Sequence, residues 1–251
     1  QRQMCIRDRG YTLTASNCVE DGIAHARKIN HPRSLAFALA NGARTELKRG
    51  DYLRCIEVGG EANRISEKHG YPDFRAMGRF HQLAGEWHVE PSDRTLAALR
   101  ETLDALVAVG NSLSMPYYHS VLADILSLEG QFEDALAALT LADRQLKKHG
   151  QDLDAVEVLR VRGLVEWRQQ QSGGTIATDP SAALRRAHDL AVRQGAVSWR
   201  LLAAVSLAEW LESHGDAEQA HATLSAALEA MPEQGHLPAF NDANRILDRV
   251  S

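Results

Sequence analysis

The chain has 251 residues, of which 44% are apolar and 24% charged, and its net charge is −5. This composition is typical of a soluble globular protein, and the lack of a basic stripe argues against nucleic acid as the main partner. No apolar run approaches the roughly 18 residues that a membrane-spanning helix requires. Three cysteines without metal-type spacing suit a reducing compartment, so we expect a cytoplasmic protein without metal or other cofactor.

The first nine residues, QRQMCIRDR, differ from the rest of the chain. They are polar and basic, show no helical period, and lack the apolar stretch and cleavage site of a signal peptide. The codons ATG TGT ATA AGA GAC, which can encode MCIRD, resemble an adapter used in preparing sequencing libraries. We therefore expect residues 1–9 to be an unstructured assembly artefact and the native chain to continue upstream of Gly10.

Helix-ending signals recur at nearly constant intervals from residue 10 onward. Gly or Asn, which suit a left-handed C-terminal cap, stand at spacings of 40, 40, 40, 45 and 40 residues, at Asn30, Gly70, Gly110, Gly150, Gly195 and Gly235. This period predicts a partial unit over residues 10–30 and full units over 31–70, 71–110, 111–150, 151–195 and 196–235. A final helix is predicted over 238–250.

Each full unit has the pattern of two helices joined by a turn. Proline marks the start of the first helix at Pro32, Pro72 and Pro116. A turn glycine follows at Gly50, Gly130 and Gly215. The unit 151–195 has instead the longer linker QQQSGGTIATDPS, whose DPS predicts the start of the next helix.

Small residues occupy fixed positions relative to the turn glycines, where two antiparallel helices approach most closely. They stand seven residues before, five after and twelve after the glycine, at Ala43, Ala123, Ala208, Cys55, Ala135, Ala220, Ala62, Ala142 and Ala227. The two looser units would place Gly85 with Ala97, and Gly163 with Ala187, at such contacts. Glycine, aromatic and alanine in this register are the tetratricopeptide (TPR) pattern. We predict an all-α, TPR-like α-α superhelix of about five helix pairs with terminal helices, in preference to an ordinary bundle.

Several segments resemble one family. HPRSLAFAL, VEVLRVRGLVEWRQQ, RQGAVSWRLLAAVSLAEWLESHGDAEQAHATLSAAL and the closing AFNDANRILDRVS are similar to the C-terminal TPR region of bacterial multidomain AAA-type ATPases, of the adenylate/guanylate cyclase or LuxR-type regulators. The resemblance implies a non-catalytic sensor or protein-interaction region at the C-terminus of a larger signalling protein. A partner bound there would shift the attached ATPase between states.

The sequence offers no catalytic residue. It has no G-x-x-x-x-G-K-S/T phosphate loop and no paired metal-binding carboxylates, so any ATPase or cyclase chemistry of the parent would lie upstream. His81 and His88 share a helix face but lie about 10.5 Å apart along the axis, too far to share one ion. We interpret both as surface histidines with structural roles.

The expected binding surface is the groove formed by the first helix of each unit. The TPR register places a mixture of Arg, aromatic and carboxylate side chains there, which could hold a peptide by directed hydrogen bonds. The candidates are Phe37, Arg44, Lys48, Arg79, Gln82, Glu86, Tyr117, Ser120, Asp124, Glu157, Arg160 and Trp167. An ordinary solvated surface is the alternative for each of them.

We expect the partner to be a protein or peptide segment, for which the ATPase domain of the same full-length chain is one candidate. Nucleic acid and membrane are not expected partners. Two alternatives stay open at this point: a free-standing TPR module that binds a peptide or small effector, and, with less support, an enzyme in its own right.

Overall fold

The computed structural model describes residues 12–111, 114–149, 154–176, 178–232 and 238–250, and within these ranges the chain forms α-helices and no strand. The all-α prediction is confirmed. The predicted segment 1–9 and the caps Gly150 and Gly235 lie outside the described residues. The helices of the described part are α1 (Thr12–Lys28), α2 (Pro32–Arg49), α3 (Tyr52–His69), α4 (Pro72–Val89), α5 (Asp93–Ala108), α6 (Met115–Leu128), α7 (Phe132–His149), α8 (Ala155–Gln171), α9 (Pro180–Gln194), α10 (Val197–Ser213), α11 (Ala217–Glu229) and α12 (Pro238–Val250).

Helix starts follow local capping chemistry. The Asp51 carboxylate accepts a hydrogen bond from the Arg54 amide at 3.1 Å, and the Ser92 hydroxyl accepts one from the Thr95 amide at 3.2 Å. Asp179 caps α9, which begins at Pro180 as the sequence predicts. These side chains satisfy amides that have no partner inside the helix.

Helix ends use residues with left-handed backbone. Among the predicted caps, Asn30, Gly70, Gly110 and Gly195 have φ of 51°, 71°, 76° and 61°. The predicted turn glycines Gly50, Gly130 and Gly215 have φ of 72°, 73° and 81°. Glycine suits these positions because a side chain there would strain the backbone.

The chain divides into two compact units. The first contains α1–α5 in the described range 12–111. Consecutive helices pack against one another, and α2 also contacts α4 across α3. Its core includes Leu39, Phe80 and Leu83, which are each at most 2% exposed.

The second unit contains α6–α12, described over 114–149, 154–176, 178–232 and 238–250. Within it, α6 contacts α8, α8 contacts α10 and α10 contacts α12, in addition to contacts between neighbouring helices. The even-numbered helices of this unit thus pack on one another in chain order, and α7, α9 and α11 connect them.

The small residues lie where the sequence predicts close helix contacts. All nine alanine and cysteine positions before and after the turn glycines are 0% exposed. Gly85 packs on α3, and a Cβ atom there would lie 3.0 Å from the Tyr52 carbonyl oxygen. Ala97 is an exception: it is exposed, and the prediction for it is wrong. The buried face of α5 is formed instead by Leu96, Leu99, Leu103 and Leu106.

Candidate binding surface

Polar side chains link the even-numbered helices of the second unit. Arg168 on α8 donates hydrogen bonds from Nη1 to the Asp124 carboxylate at 2.7 Å and to the Ser127 hydroxyl at 2.5 Å, both on α6. The side chains of Arg168 and Asp124 are 26% and 27% exposed. A charge-assisted bond in this half-buried position holds α6 and α8 in register.

Arg160 continues this set of links towards α10. Its guanidinium donates to both carboxylate oxygens of Glu157, at 2.8 and 2.9 Å, and to the Ser206 hydroxyl at 3.2 Å. Burial of the guanidinium lowers the pKa of Arg160, but the charges of Glu157, Asp124 and Glu209 outweigh burial and hold this pKa above its usual range. Arg160 therefore stays positively charged and is paired with the carboxylate of Glu157.

The link between α10 and α12 is a two-bond ion pair. Arg249 donates from Nε and Nη2 to the two carboxylate oxygens of Glu212, both at 2.6 Å. Arg245, on the same helix as Arg249, pairs with Asp242. Glu209 lies on α10 between the positions of Ser206 and Glu212.

These residues form one surface, which we call the even-helix surface. It also includes two half-buried indole side chains on α8 and α10, which pack on the edge of the core. Its members come from α6, α8, α10 and α12 and are Asp124, Glu157, Arg160, Trp167, Arg168, Ser206, Glu209, Trp210, Glu212, Asp242, Arg245 and Arg249. The surface offers paired charges and flat apolar groups, a combination that suits recognition of a peptide.

Three of the predicted groove residues in the first unit meet on α4. Gln82 donates from Nε2 to the Glu86 carboxylate at 2.7 Å, and Arg79 Nη1 lies 3.9 Å from the same carboxylate. Arg79 and Glu86 also line an open cavity of about 540 Å³ between α4 and α5, together with Leu83 and Arg94.

Two other predicted residues of the first unit are placed apart from that cavity. Phe37 is 53% exposed and meets Phe74 edge to face, with ring centroids 5.7 Å apart. Lys48 is half-buried near the end of α2. The structure therefore gathers only part of the predicted set into one place in this unit.

Several predictions about exposure are corrected by the structure. Tyr117 and Ser120 are 1% and 0% exposed, because the first turns of α6 are buried on all sides, and Arg44 is 6% exposed. Their side chains do not line an open surface. His81, expected at the surface, is 0% exposed in the core. His88 stacks on Tyr52 with ring centroids 4.3 Å apart.

Asp124, Glu157, Arg160 and Trp167 were predicted and come together on the even-helix surface, whereas Arg168, Ser206 and Glu209 were missed. A signal for Glu209 was present in the sequence. It follows the tight-packing Ala208 as Asp124 follows Ala123, so the same register applied to α10 identifies it. For Arg168, the signal is its spacing of eight residues from Arg160, which puts both on one side of α8.

Neither a metal site nor a membrane span is seen in the described part of the chain. No group of three or more His, Cys, Asp or Glu side chains there could hold a metal ion. Within the same residues, every helix is too short or too polar to cross a bilayer.

No family model matches the chain. It is 24% identical over 189 residues to "Uncharacterized protein R02095" of Rhizobium meliloti (strain 1021), a match that covers 75% of this chain and 18% of that protein. The chain thus spans about a fifth of the length of the relative it matches.

Proposed function

We propose that the chain is a TPR-like helical repeat that acts as a binding region within a larger signalling protein. Two features support the repeat. Even-numbered helices pack on one another in both units, as the first helices of stacked repeats do. In addition, odd-numbered helices carry arginine links between residues 34 positions apart, Arg54 to Glu20, Arg27 to Glu61 and Arg185 to Gln219. Contacts between corresponding helices of neighbouring units are expected where repeats stack on one another.

The function we propose is non-catalytic binding of a protein or peptide segment, with the even-helix surface as the binding site. The observation that carries this proposal is the continuity of that surface over four helices, α6, α8, α10 and α12. Repeat proteins bind their partners on such extended surfaces. A bound segment that touches several helices would favour one arrangement of them and so report its presence to an attached domain.

The regulatory context is part of the same proposal. The resemblance of the sequence to C-terminal regions of ATPase or cyclase-type regulators supports it, and so does the length of the matched relative, of which the aligned stretch is only 18%. We propose an ATPase or nucleotide-cyclase module upstream of this chain as the partner in regulation.

The binding proposal is tested by selecting ligands from a library of random dodecapeptides displayed on phage, with the whole chain immobilised. Binding of the selected peptides is then measured by fluorescence anisotropy. We expect Trp167→Ala to weaken binding by about tenfold or more, since truncation of a central aromatic anchor typically costs about 2 kcal/mol or more.

The matched control is Leu141→Ala, which removes a side chain that is 45% exposed on the odd-numbered helix α7. It should leave the affinity unchanged. A library that yields no ligand, or ligands that respond to Leu141→Ala and not to Trp167→Ala, contradicts the proposal.

A further inference from the structure

Three side chains on α10 lie one helical turn apart, of which Ser206 is buried and Glu209 and Glu212 are half-buried. Ser206 accepts a hydrogen bond from Arg160 of α8, and Glu212 accepts two from Arg249 of α12. Glu209 stands between them at a spacing of three residues from each, which places all three on one side of the helix. The outer two positions are each filled by an arginine from a neighbouring helix.

Glu209 differs from them in lacking a direct partner. In the described part of the chain, its carboxylate makes no hydrogen bond and no ion pair within 4.0 Å. Its side chain is half-buried. Burial raises its pKa, the charge of Asp242 raises it further, and the charges of Arg160, Arg168 and Arg249 lower it.

The neighbouring arginines are already committed to other carboxylates. Arg168 pairs with Asp124, Arg160 with Glu157 and Arg249 with Glu212. Arg245 pairs with Asp242 in the same way. The surface therefore has four guanidinium groups, each with its own carboxylate, and Glu209 is the one carboxylate left over. A carboxylate that loses part of its hydration without gaining a partner is destabilised, and such groups cluster at functional sites.

We propose that Glu209 receives a single basic side chain, lysine or arginine, from the bound partner segment. This inference rests on the proposed function, because it assigns the chemistry that the even-helix surface recognises. The incoming cation would give Glu209 a charge pair like that of Glu212 with Arg249, next to the position where Ser206 accepts a hydrogen bond from Arg160. An acidic segment is disfavoured, since it would meet Glu209 while the arginines are occupied.

The test uses peptides from the dodecapeptide selection described above. We expect the selected peptides to share a lysine or arginine. Replacing it by norleucine or citrulline, which are similar in shape and uncharged, should weaken binding to the wild-type chain by about tenfold, or about 1.4 kcal/mol. With Glu209→Gln, the charged and uncharged peptides should bind equally well.

The control variant is Glu218→Gln, which removes an exposed carboxylate on the odd-numbered helix α11 and should preserve the discrimination. Glu209→Ala serves as a second uncharged variant if Glu209→Gln lowers the melting temperature. Ligands without a common basic residue, or discrimination that persists in a folded Glu209 variant, would overturn this inference while leaving the binding function intact. Failure to select any ligand would instead count against the proposed function.

Discussion

Gly163 on α8 lies so close to Leu184 on α9 that a Cβ atom added to the glycine would stand 2.6 Å from Leu184 Cγ. The Pro180 carbonyl oxygen would lie 3.1 Å from the same atom. This approach requires a residue without a side chain, because real Cβ atoms do not come so near to a neighbour. The contact fixes how tightly the two helices can pack.

Gly163→Ala should therefore destabilise the second unit by about 1–3 kcal/mol, through overpacking that moves α8 from α9. Urea denaturation monitored by circular dichroism measures this loss. The matched control is Gly60→Ala within α3, where the added atom would meet nothing closer than Arg64 Nη1 at 3.4 Å. That variant should be neutral or more stable by up to about 1 kcal/mol, since alanine is the better helix former.

The bond between Arg168 and Asp124 should contribute measurably to stability. A double-mutant cycle with Arg168→Ala and Asp124→Ala is expected to give a coupling energy of about 1 kcal/mol, because the pair is half-buried and well aligned. The comparison pair is Arg75 and Glu67, whose atoms lie 3.0 Å apart but whose side chains are 55% and 61% exposed. Its coupling should fall below about 0.5 kcal/mol, and equal values for the two pairs would contradict the prediction.

The buried His81 should make the first unit sensitive to acid. Burial, with the charges of Arg44 and Lys48, lowers the pKa of His81 to about 3. The unfolded chain binds a proton near pH 6.5 and the folded chain does not, so stability is full above pH 6.5 and falls as the pH drops towards 3. The loss attributable to this group is about 2 kcal/mol between pH 6.5 and 5.

The measurement is the difference in unfolding free energy between wild type and His81→Gln at pH 7 and pH 5, followed by tryptophan fluorescence, to which Trp87 contributes from the first unit. That difference should shift in favour of the variant by about 2 kcal/mol at the lower pH. The exposed His25 on α1 provides a control, His25→Gln, for which the shift should be much smaller. Burial also lowers the pKa values of His119 and His188 in the second unit. The stability of that unit should therefore still fall in acid in the His81→Gln variant.

Cys55 should be inert towards alkylating reagents in the folded protein. Its thiol is 0% exposed, donates to the Ala43 carbonyl oxygen at 3.3 Å, and has a pKa raised by burial and then by Glu46. The thiolate that reacts is therefore scarce and inaccessible. Iodoacetamide followed by peptide mass spectrometry should label Cys18, which is half-exposed, well before Cys55. Equal labelling of both peptides before unfolding would refute this assignment.

The sequence predicted close helix contacts well where the same physical requirement recurs. Ala43, Ala123 and Ala208 are buried because a larger residue would separate antiparallel helices, and the turn glycine sets their position. The prediction failed at Ala97, whose unit lacks the turn glycine that sets the register of the others. There the leucine stripe decides which face of α5 is buried, and Ala97 lies outside it.

Only some residues of the candidate site could be predicted, because helical register places residues along one helix but does not show which residues of two helices meet. Asp124 and Arg160 follow from register along a single helix, which a sequence displays. The pairing of Arg168 with Asp124 spans 44 residues and depends on how closely α6 approaches α8, which no local pattern encodes. Tyr117 was wrongly predicted for the converse reason. Helical register placed it on the binding surface, but packing around α6 buries it.

The arginine pairs between alternate helices also bear on how the second unit comes apart. Arg249 fastens α12 to α10, and α10 is fastened to α8 through Arg160. Detachment of α12 therefore removes one restraint on α10, which stays linked to α8 through Arg160. Native-state hydrogen exchange should show protection that rises from α12 through α10 to α8, so that this unit opens first at its C-terminal end.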